Sequence, residues 1–166
     1  MNTNPTSRHP RGFTLVEMLV VITIIVILAA LSVPGYNYIA LKQANSQADL
    51  QINLLSKGLE EYRVDYGTYP DPAATGATSP SNALYLALYH NGASTTPAGT
   101  IYVNELDPVH NKQGWTEGTG VGVTITDPWG EEYIYVTGAT ARNPDFDLAS
   151  KGKDGTIDTP DDIDNY

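Results

Sequence analysis

The chain contains no cysteine. That absence removes disulfides, thiolate metal sites and thiol catalysis together, although it does not by itself place the protein in a reducing compartment. Basic residues are scarce. Lys plus Arg is 9 against 19 Asp plus Glu, a net charge of −10 over 166 residues. A surface of that sign argues against nucleic acid and against an anionic membrane surface as partners. Histidine is thin as well: His9, His90 and His110 are too scattered to suggest a metal cluster. There is no internal repeat. With 41% apolar and 17% charged residues, the chain is neither disordered nor a polytopic membrane protein. Its length suits one domain of ordinary size plus one long appended element.

Glycine (15) and tyrosine (11) are plentiful, which predicts turns and short strands beyond the N-terminus. The N-terminus itself is different. Met1 to Gly12 is polar and carries Arg8 and Arg11 but no acid, whereas Phe13 to Val33 is almost entirely apolar, centred on Met18 to Leu31. As a helix this stretch would span roughly 30 Å, the thickness of a bilayer core. The basic flank keeps the first end cytoplasmic and places everything after Pro34 outside. Glu17 interrupts an otherwise ordinary anchor. An acid in a membrane helix costs on the order of 2.5–3.5 kcal/mol at the centre, less near an end, and normally has a partner. A simple signal anchor, or a secretory signal cleaved near Ala29-Ala30, explains neither this acid nor the Gly12-Phe13 junction before it.

Gly12-Phe13-Thr14-Leu15-Val16-Glu17, followed by the apolar run, resembles the processing site of type IV pilins and type II secretion pseudopilins. The resemblance implies that residues 1–12 are a leader, cut after Gly12 by a membrane-embedded prepilin peptidase that N-methylates Phe13. Glu17 is then fifth and Pro34 twenty-second in the mature chain, as in the family. Such a cut leaves a charged amine at the start of the helix. That amine is a candidate partner for Glu17 of a neighbouring subunit, so a costly buried acid becomes a device for setting stagger in assembly.

Residues 13–33 thus read as a transmembrane and assembly helix, and 34–166 as a periplasmic globular domain. A kink or local melting is expected at Pro34-Gly35. Over 36–66 the sequence predicts an amphipathic helix, with Ala48, Ile52, Leu55, Leu59, Tyr62 and Tyr66 on one face. That face should pack on a small sheet; a free coiled coil suits it less, because the seam is short. Gly67 and Tyr69-Pro70 end the helix. The region 71–126 begins with a loop to Pro80, and Ser81 reads as the N-cap of a short helix from Asn82 to Tyr89. Leu84, Leu88 and either Tyr85 or Tyr89 should face inward. A second loop covers Asn91 to Gly99, then strands are expected at Thr100 to Val103 and Val121 to Thr126. In 127–166, a turn at Asp127-Pro128-Trp129-Gly130 leads into strands Glu132 to Val136 and Phe146 to Ala149. His90 and His110 read as surface residues, and the tyrosines as half-buried packing rather than a base-stacking platform.

The Asp127 turn with Tyr133 and Tyr135, and Tyr62-Arg63-Val64-Asp65-Tyr66-Gly67-Thr68-Tyr69-Pro70, resemble the major, G-type pseudopilins of type II secretion. This resemblance covers 12–70 and 127–166, while 71–126 departs in being longer and rich in Thr and Gly. It implies an α+β, pilin-like fold: a long N-terminal helix packed on a small antiparallel sheet, with a C-terminal calcium-type loop.

That loop is the acidic segment Lys151-Gly152-Lys153-Asp154-Gly155-Thr156-Ile157-Asp158-Thr159-Pro160-Asp161-Asp162-Ile163. A solvated tail is the plain alternative, yet a tail needs no Gly, Pro or Ile. Calcium takes six to eight oxygens from carboxylates and carbonyls in a flexible loop, and the EF-hand pattern is not met. The string resembles the calcium loop of G-type pseudopilins, which also ends in Asp-Asp-Ile and an aromatic; Tyr166 stands where the family usually has Trp. The resemblance implies side-chain ligands from Asp154, Asp161 and Asp162, and carbonyl ligands from Lys151 and Thr156. Asp158 and the Thr159 carbonyl stay open as alternatives.

No constellation supports catalysis, so no enzyme is expected. Glu60-Glu61 and Glu131-Glu132 are adjacent and point apart on helix or strand. The resemblance implies a structural protein, the repeating subunit of a type II secretion pseudopilus, driving protein export across the outer membrane. It would sit in the inner membrane by a single pass, with its domain in the periplasm. Its partners would be further copies of itself, the prepilin peptidase, minor pseudopilins, an inner-membrane assembly platform with a cytoplasmic ATPase, and the bilayer. Two alternatives remain: a type IV pilin of a surface fibre for adhesion or motility, and a membrane-anchored calcium-dependent binding module. The first lacks here the Cys pair common in Gram-negative type IV pilins. The second would need neither Glu17 nor the Gly12-Phe13 junction.

Overall fold

The structure, a computed structural model, describes residues 12–73, 76–89 and 99–166, with backbone only at 32–37. The leader residues 1–11, His90 and most of the loop expected over Asn91 to Gly99 lie outside the described residues. The chain divides into two compact units, Met1–Leu41 and Lys42–Tyr166.

Helix α1 runs from Leu15 to Tyr66, 52 residues. The local melting expected at Pro34-Gly35 does not occur, because the helix continues through both residues. Proline removes one backbone donor, and the helical turns on either side are long enough to absorb that loss. In the first unit every described side chain from Phe13 to Leu31 is exposed. Among the described residues no helix is long and apolar enough to cross a membrane.

In the second unit the predicted stripe of α1 is in place. Ala48, Ile52, Leu55 and Leu59 are buried, while Tyr62 is half-buried and stacks on the more exposed Tyr66 at 4.4 Å. Gly58 lets this face sit tight: a Cβ there would stand 2.5 Å from Val103 Cγ2. Gly67, at φ +77°, closes the helix by donating its N–H to the Arg63 carbonyl at 2.7 Å, the left-handed stop that glycine takes without penalty.

Helix α2 spans Pro80–Leu88. Its N-cap is Ser79 rather than Ser81: Ser79 Oγ accepts the Asn82 N–H at 3.2 Å, and Pro80 takes the first helical position, where its missing donor costs nothing. Ser81 is buried instead. Its hydroxyl donates to the Ile125 carbonyl at 2.6 Å and accepts the Ile125 N–H at 2.7 Å. Asn82 Nδ2 donates to the carbonyls of Val121 and Val123. Both Tyr85 and Tyr89 are inside, not one of them, since α2 is covered on all sides.

These side-chain bonds explain two strand corrections. Carbonyls expected to build a ladder over Val121 to Thr126 are taken by Asn82. The segment therefore makes a 3₁₀ turn at Gly120–Gly122 and only a two-residue strand, β2 (Thr124–Ile125), antiparallel to β1 (Thr116–Glu117). Thr100 to Val103 is no strand either; the N–H groups of Tyr102 and Val103 close on the Leu88 carbonyl. The main sheet is antiparallel, β3 (Ile134–Thr137), β4 (Phe146–Ser150) and β5 (Ile163–Asp164), in the order β3-β4-β5. Tyr135 faces Leu148 and Ser150 faces Ile163 in the register. Leu55, Leu59, Leu84, Trp115, Ile125 and Leu148 belong to one core. Within it the Tyr133 hydroxyl donates to Gln51 Oε1, and the Tyr135 hydroxyl donates to the Pro70 carbonyl at 2.8 Å. Burial pushes both hydroxyls well above the usual tyrosine range. The fold is α+β.

Candidate functional site

Gly12 and Phe13 precede α1, and Phe13 is 76% exposed. The first turn is closed by its own side chains. Glu17 Oε2 accepts the Thr14 N–H at 2.8 Å and the Thr14 hydroxyl at 2.9 Å, while Thr14 Oγ1 accepts the Glu17 N–H at 3.2 Å. This is a capping box, with Thr14 at the N-cap and Glu17 three residues on. Sequence reasoning gave Glu17 only a partner in another subunit. The Thr-x-x-Glu spacing at 14–17 was the signal for a second partner within the same chain. A carboxylate at this end also complements the helix dipole.

The acidic loop is anchored from below by the Asp127 turn. Asp127 is buried; its Oδ1 accepts the N–H groups of Trp129 and Glu131, and its Oδ2 accepts the Ser150 hydroxyl at 2.5 Å. Ser150 Oγ in turn accepts the Gly152 N–H at 3.2 Å, where the loop begins. Gly152 has φ +64°, and a Cβ there would collide with the Asp161 carbonyl. Only glycine brings the two limbs of the loop this close.

Inside the loop the aspartates cap backbone donors. Asp161 Oδ2 accepts the Asp154 N–H, Asp154 Oδ1 accepts the Thr156 N–H, and Asp162 Oδ2 accepts those of Asp158 and Thr159. The Thr159 hydroxyl oxygen lies 2.8 Å from Asp161 Oδ1, 3.1 Å from the Thr156 carbonyl, 3.3 Å from Asp162 Oδ1 and 3.4 Å from Asp154 Oδ1. Four acceptors thus surround one hydroxyl, which has a single proton to donate. The Asp161 carboxyl is held below its usual range, chiefly by the Thr159 hydroxyl and next by the Asp154 N–H.

Of the residues the sequence nominated, Asp154, Asp161, Asp162 and the Thr156 carbonyl come together. The Lys151 side chain turns to Glu131 at 3.2 Å, and Asp158 turns out to Arg142, Oδ1 to Nη2 at 2.6 Å. Among the described residues no group of three or more His, Asp or Glu side chains is arranged to hold a metal ion. The oxygens gather around a hydroxyl at hydrogen-bond distances instead of around a point at calcium's 2.3–2.6 Å. Arg142, with its guanidinium carbon 4.8 Å from the ring centre of Tyr166, is the neighbour that sequence reasoning missed. Arg142 lies far from the loop in sequence, in no periodic element. His110 is exposed, as expected, and its Nδ1 lies 2.9 Å from Asp107 Oδ2.

A model of the prokaryotic N-terminal methylation motif matches residues 7–33, and one of type II secretion system protein G matches residues 81–166. The type II secretion system core protein G of Escherichia coli K12 is 33% identical, over 94% of this chain and 90% of its own length. A fimbrial protein of Eikenella corrodens, EcpC, is 39% identical but over 54% of this chain and 57% of its own. The crystal structure of the major pseudopilin from the type 2 secretion system of enterohaemorrhagic Escherichia coli is 22% identical, covering 75% of this chain and 87% of that one with a TM-score of 0.45. The chain belongs to the type II secretion system protein G family and is a pseudopilin, a structural subunit of the pseudopilus that carries the N-terminal methylation motif.

Proposed function

We propose that the chain is the main repeating subunit of a periplasmic pseudopilus, stored as a single-pass inner-membrane protein with its domain in the periplasm. Extraction by an assembly platform with a cytoplasmic ATPase then packs the α1 helices together. Filament growth, with minor pseudopilins as partners, pushes folded proteins towards the outer membrane. The observation that carries this is the stretch from Leu15 to Leu31, exposed throughout and apolar except for Glu17 and Thr23. Such a surface has no place in water, and lipid or neighbouring copies of the same helix are what it suits. A surface fibre is the second reading, and the half-length match to the fimbrial relative gives it less support than the full-length match to core protein G.

Processing between Gly12 and Phe13 would place a charged amine within reach of a neighbour's Glu17. In the single chain Glu17 already holds the Thr14 N–H and hydroxyl, so on this reading the acid serves its own helix and the incoming amine. Glu17→Ala should leave membrane insertion intact or improved, since a costly charge is gone, and should abolish filaments and export. Thr14→Ala, which weakens only the cap, should cost about 1 kcal/mol of local helix stability and retain filaments. Intact-mass analysis of both should give chains starting at Phe13 plus one methyl. Normal filaments from Glu17→Ala, or a mass starting at Met1, would overturn the reading.

The acidic loop is read as a calcium site. Its chemistry fits: the gathered atoms are all oxygen, and one hydroxyl proton cannot satisfy three carboxylates and a carbonyl. Asp154, Asp161 and Asp162 would supply carboxylate oxygens, with the carbonyls of Thr156 and Lys151. The ion would supply the positive charge that three neighbouring carboxylates lack. At about 100 times its Kd it would add about 2.7 kcal/mol of stability, a rise of several degrees in Tm. The full chain in detergent should melt higher in calcium than in EGTA, magnesium should substitute poorly, and Asp154→Ala or Asp162→Ala should erase the difference. Equal Tm in calcium and EGTA would reduce the segment to an acidic loop without an ion.

A further inference from the structure

We propose that Arg142 is a positioning residue for the acidic loop: it clamps Asp158 outward, against Tyr166, and thereby fixes which three aspartates are left for a hard cation. The consequence for binding rests on the calcium reading above; the clamp itself rests on geometry alone.

The base of the clamp is rigid. Asp147 lies buried on β4, where its Oδ2 accepts the Arg142 N–H at 2.7 Å and its Oδ1 accepts the Asn143 N–H at 2.8 Å. Asn143 donates to the Asn165 carbonyl at 3.3 Å, and the Asn165 side chain accepts from Leu148 N–H and donates to the Phe146 carbonyl. Both the Arg142 backbone and the segment leading to Tyr166 are therefore bolted to the same strand. From this base the guanidinium reaches Asp158 at 2.6 Å and lies over the Tyr166 ring. Arginine suits the task because its planar group can pair with a carboxylate by its edge while stacking by its face.

At the other end, Asp158 is the one described non-glycine residue with a positive φ, +67°. That conformation is uncommon for an L-residue, less so for Asp, and neighbours can hold it in place. Here two do: its N–H donates to Asp162 Oδ2 at 2.6 Å, and its carboxylate is held by Arg142. The left-handed turn throws the Asp158 side chain out of the loop, while the next residue, Thr159, puts its hydroxyl among Asp154, Asp161 and Asp162. Four aspartates lie between 154 and 162. Arg142 pairs with the one that does not face that hydroxyl, which leaves the other three around it. Preorganisation of this kind lowers what an ion must order when it binds.

Charge and shape make opposite forecasts. If Arg142 mattered only as a positive charge near a cation, Arg142→Gln would tighten calcium binding and Asp158→Asn would weaken it. If it acts as a clamp, both variants weaken binding, because each breaks the same strut. The measurement is calcium Kd by titration calorimetry on the full chain in detergent, together with amide hydrogen exchange of 156–162 in EGTA. Both variants should bind about tenfold more weakly or worse, their 156–162 amides should exchange faster than wild type, and Arg142→Lys should recover part of each effect. Shifts of Kd in opposite directions would overturn the clamp. So would an unchanged Kd with equal loss of Tm in calcium and in EGTA, the mark of a merely structural residue. If wild type binds no calcium, the calcium reading fails on that result, and exchange in Arg142→Gln still decides the clamp: protection equal to wild type refutes it.

Discussion

The two stretches of α1 share one secondary structure and nothing else. From Leu15 to Leu31 the apolar residues run all round the helix and stand exposed. From Ala48 to Leu59 one stripe at helical spacing, Ala48, Ile52, Leu55 and Leu59, is buried, with Lys57 and Glu61 paired on the outside at 3.8 Å. A helix apolar on every side has no solvent-facing surface of its own, so its partners are lipid or other helices. A helix apolar on one stripe is completed by its own domain. The difference separates what one chain settles alone from what it leaves to assembly.

The largest test of that division is in the stripe. Leu59 is fully buried, so Leu59→Ala should cost about 2–5 kcal/mol through lost burial and the cavity it leaves, lowering Tm of the second unit by roughly ten degrees. Ile24, 51% exposed, is the counterpart. Ile24→Ala should leave that Tm unchanged within about 0.5 kcal/mol and reduce the yield of filaments. Thermal melts of the two variants in detergent check both expectations. An Ile24→Ala melt that fell as far as that of Leu59→Ala would erase the distinction between the stretches.

The same contrast explains what could be read from the sequence. Ala48, Ile52, Leu55 and Leu59 were legible because a repeat of three and four residues maps directly to one helix face, and Gly67 marked the stop. The strand expected over Val121 to Thr126 is shorter because alternation does not report hydrogen bonding: Val123 and Ile125 are buried, Val121 is exposed, and Asn82 occupies the carbonyls of Val121 and Val123. Ser79 and Ser81 show the same limit. Two serines flank Pro80, and only the fold decides which caps the helix and which reaches Ile125. At the acidic loop the aspartates announced themselves, while Arg142 did not, since its partnership with Asp158 depends on two turns meeting in space.

A finer test asks whether the acid response of the second unit comes from its own carboxylates, as a self-contained domain requires. Asp107 lies in 71–126, most of which the family model of protein G covers. His110 Nδ1 at 2.9 Å from its Oδ2, and next the N–H groups of Val109 and His110 on its Oδ1, hold its carboxyl below the ordinary value of 3.8. A folded value below the unfolded one means that the unfolded chain binds the proton more readily. The stabilisation is therefore complete above about pH 4 and is lost as pH falls through the folded value. Asp107→Asn resembles the protonated acid and should lower Tm at pH 7 by about a degree or two, a small effect because the site is open to solvent. His110→Ala removes the larger cause and should reproduce most of that loss. As the pH drops below the folded value, wild type and Asp107→Asn should converge, since both then carry a neutral side chain. A gap that persisted undiminished in strong acid would mean that the carboxylate's charge contributes nothing and that the substitution acts through packing instead.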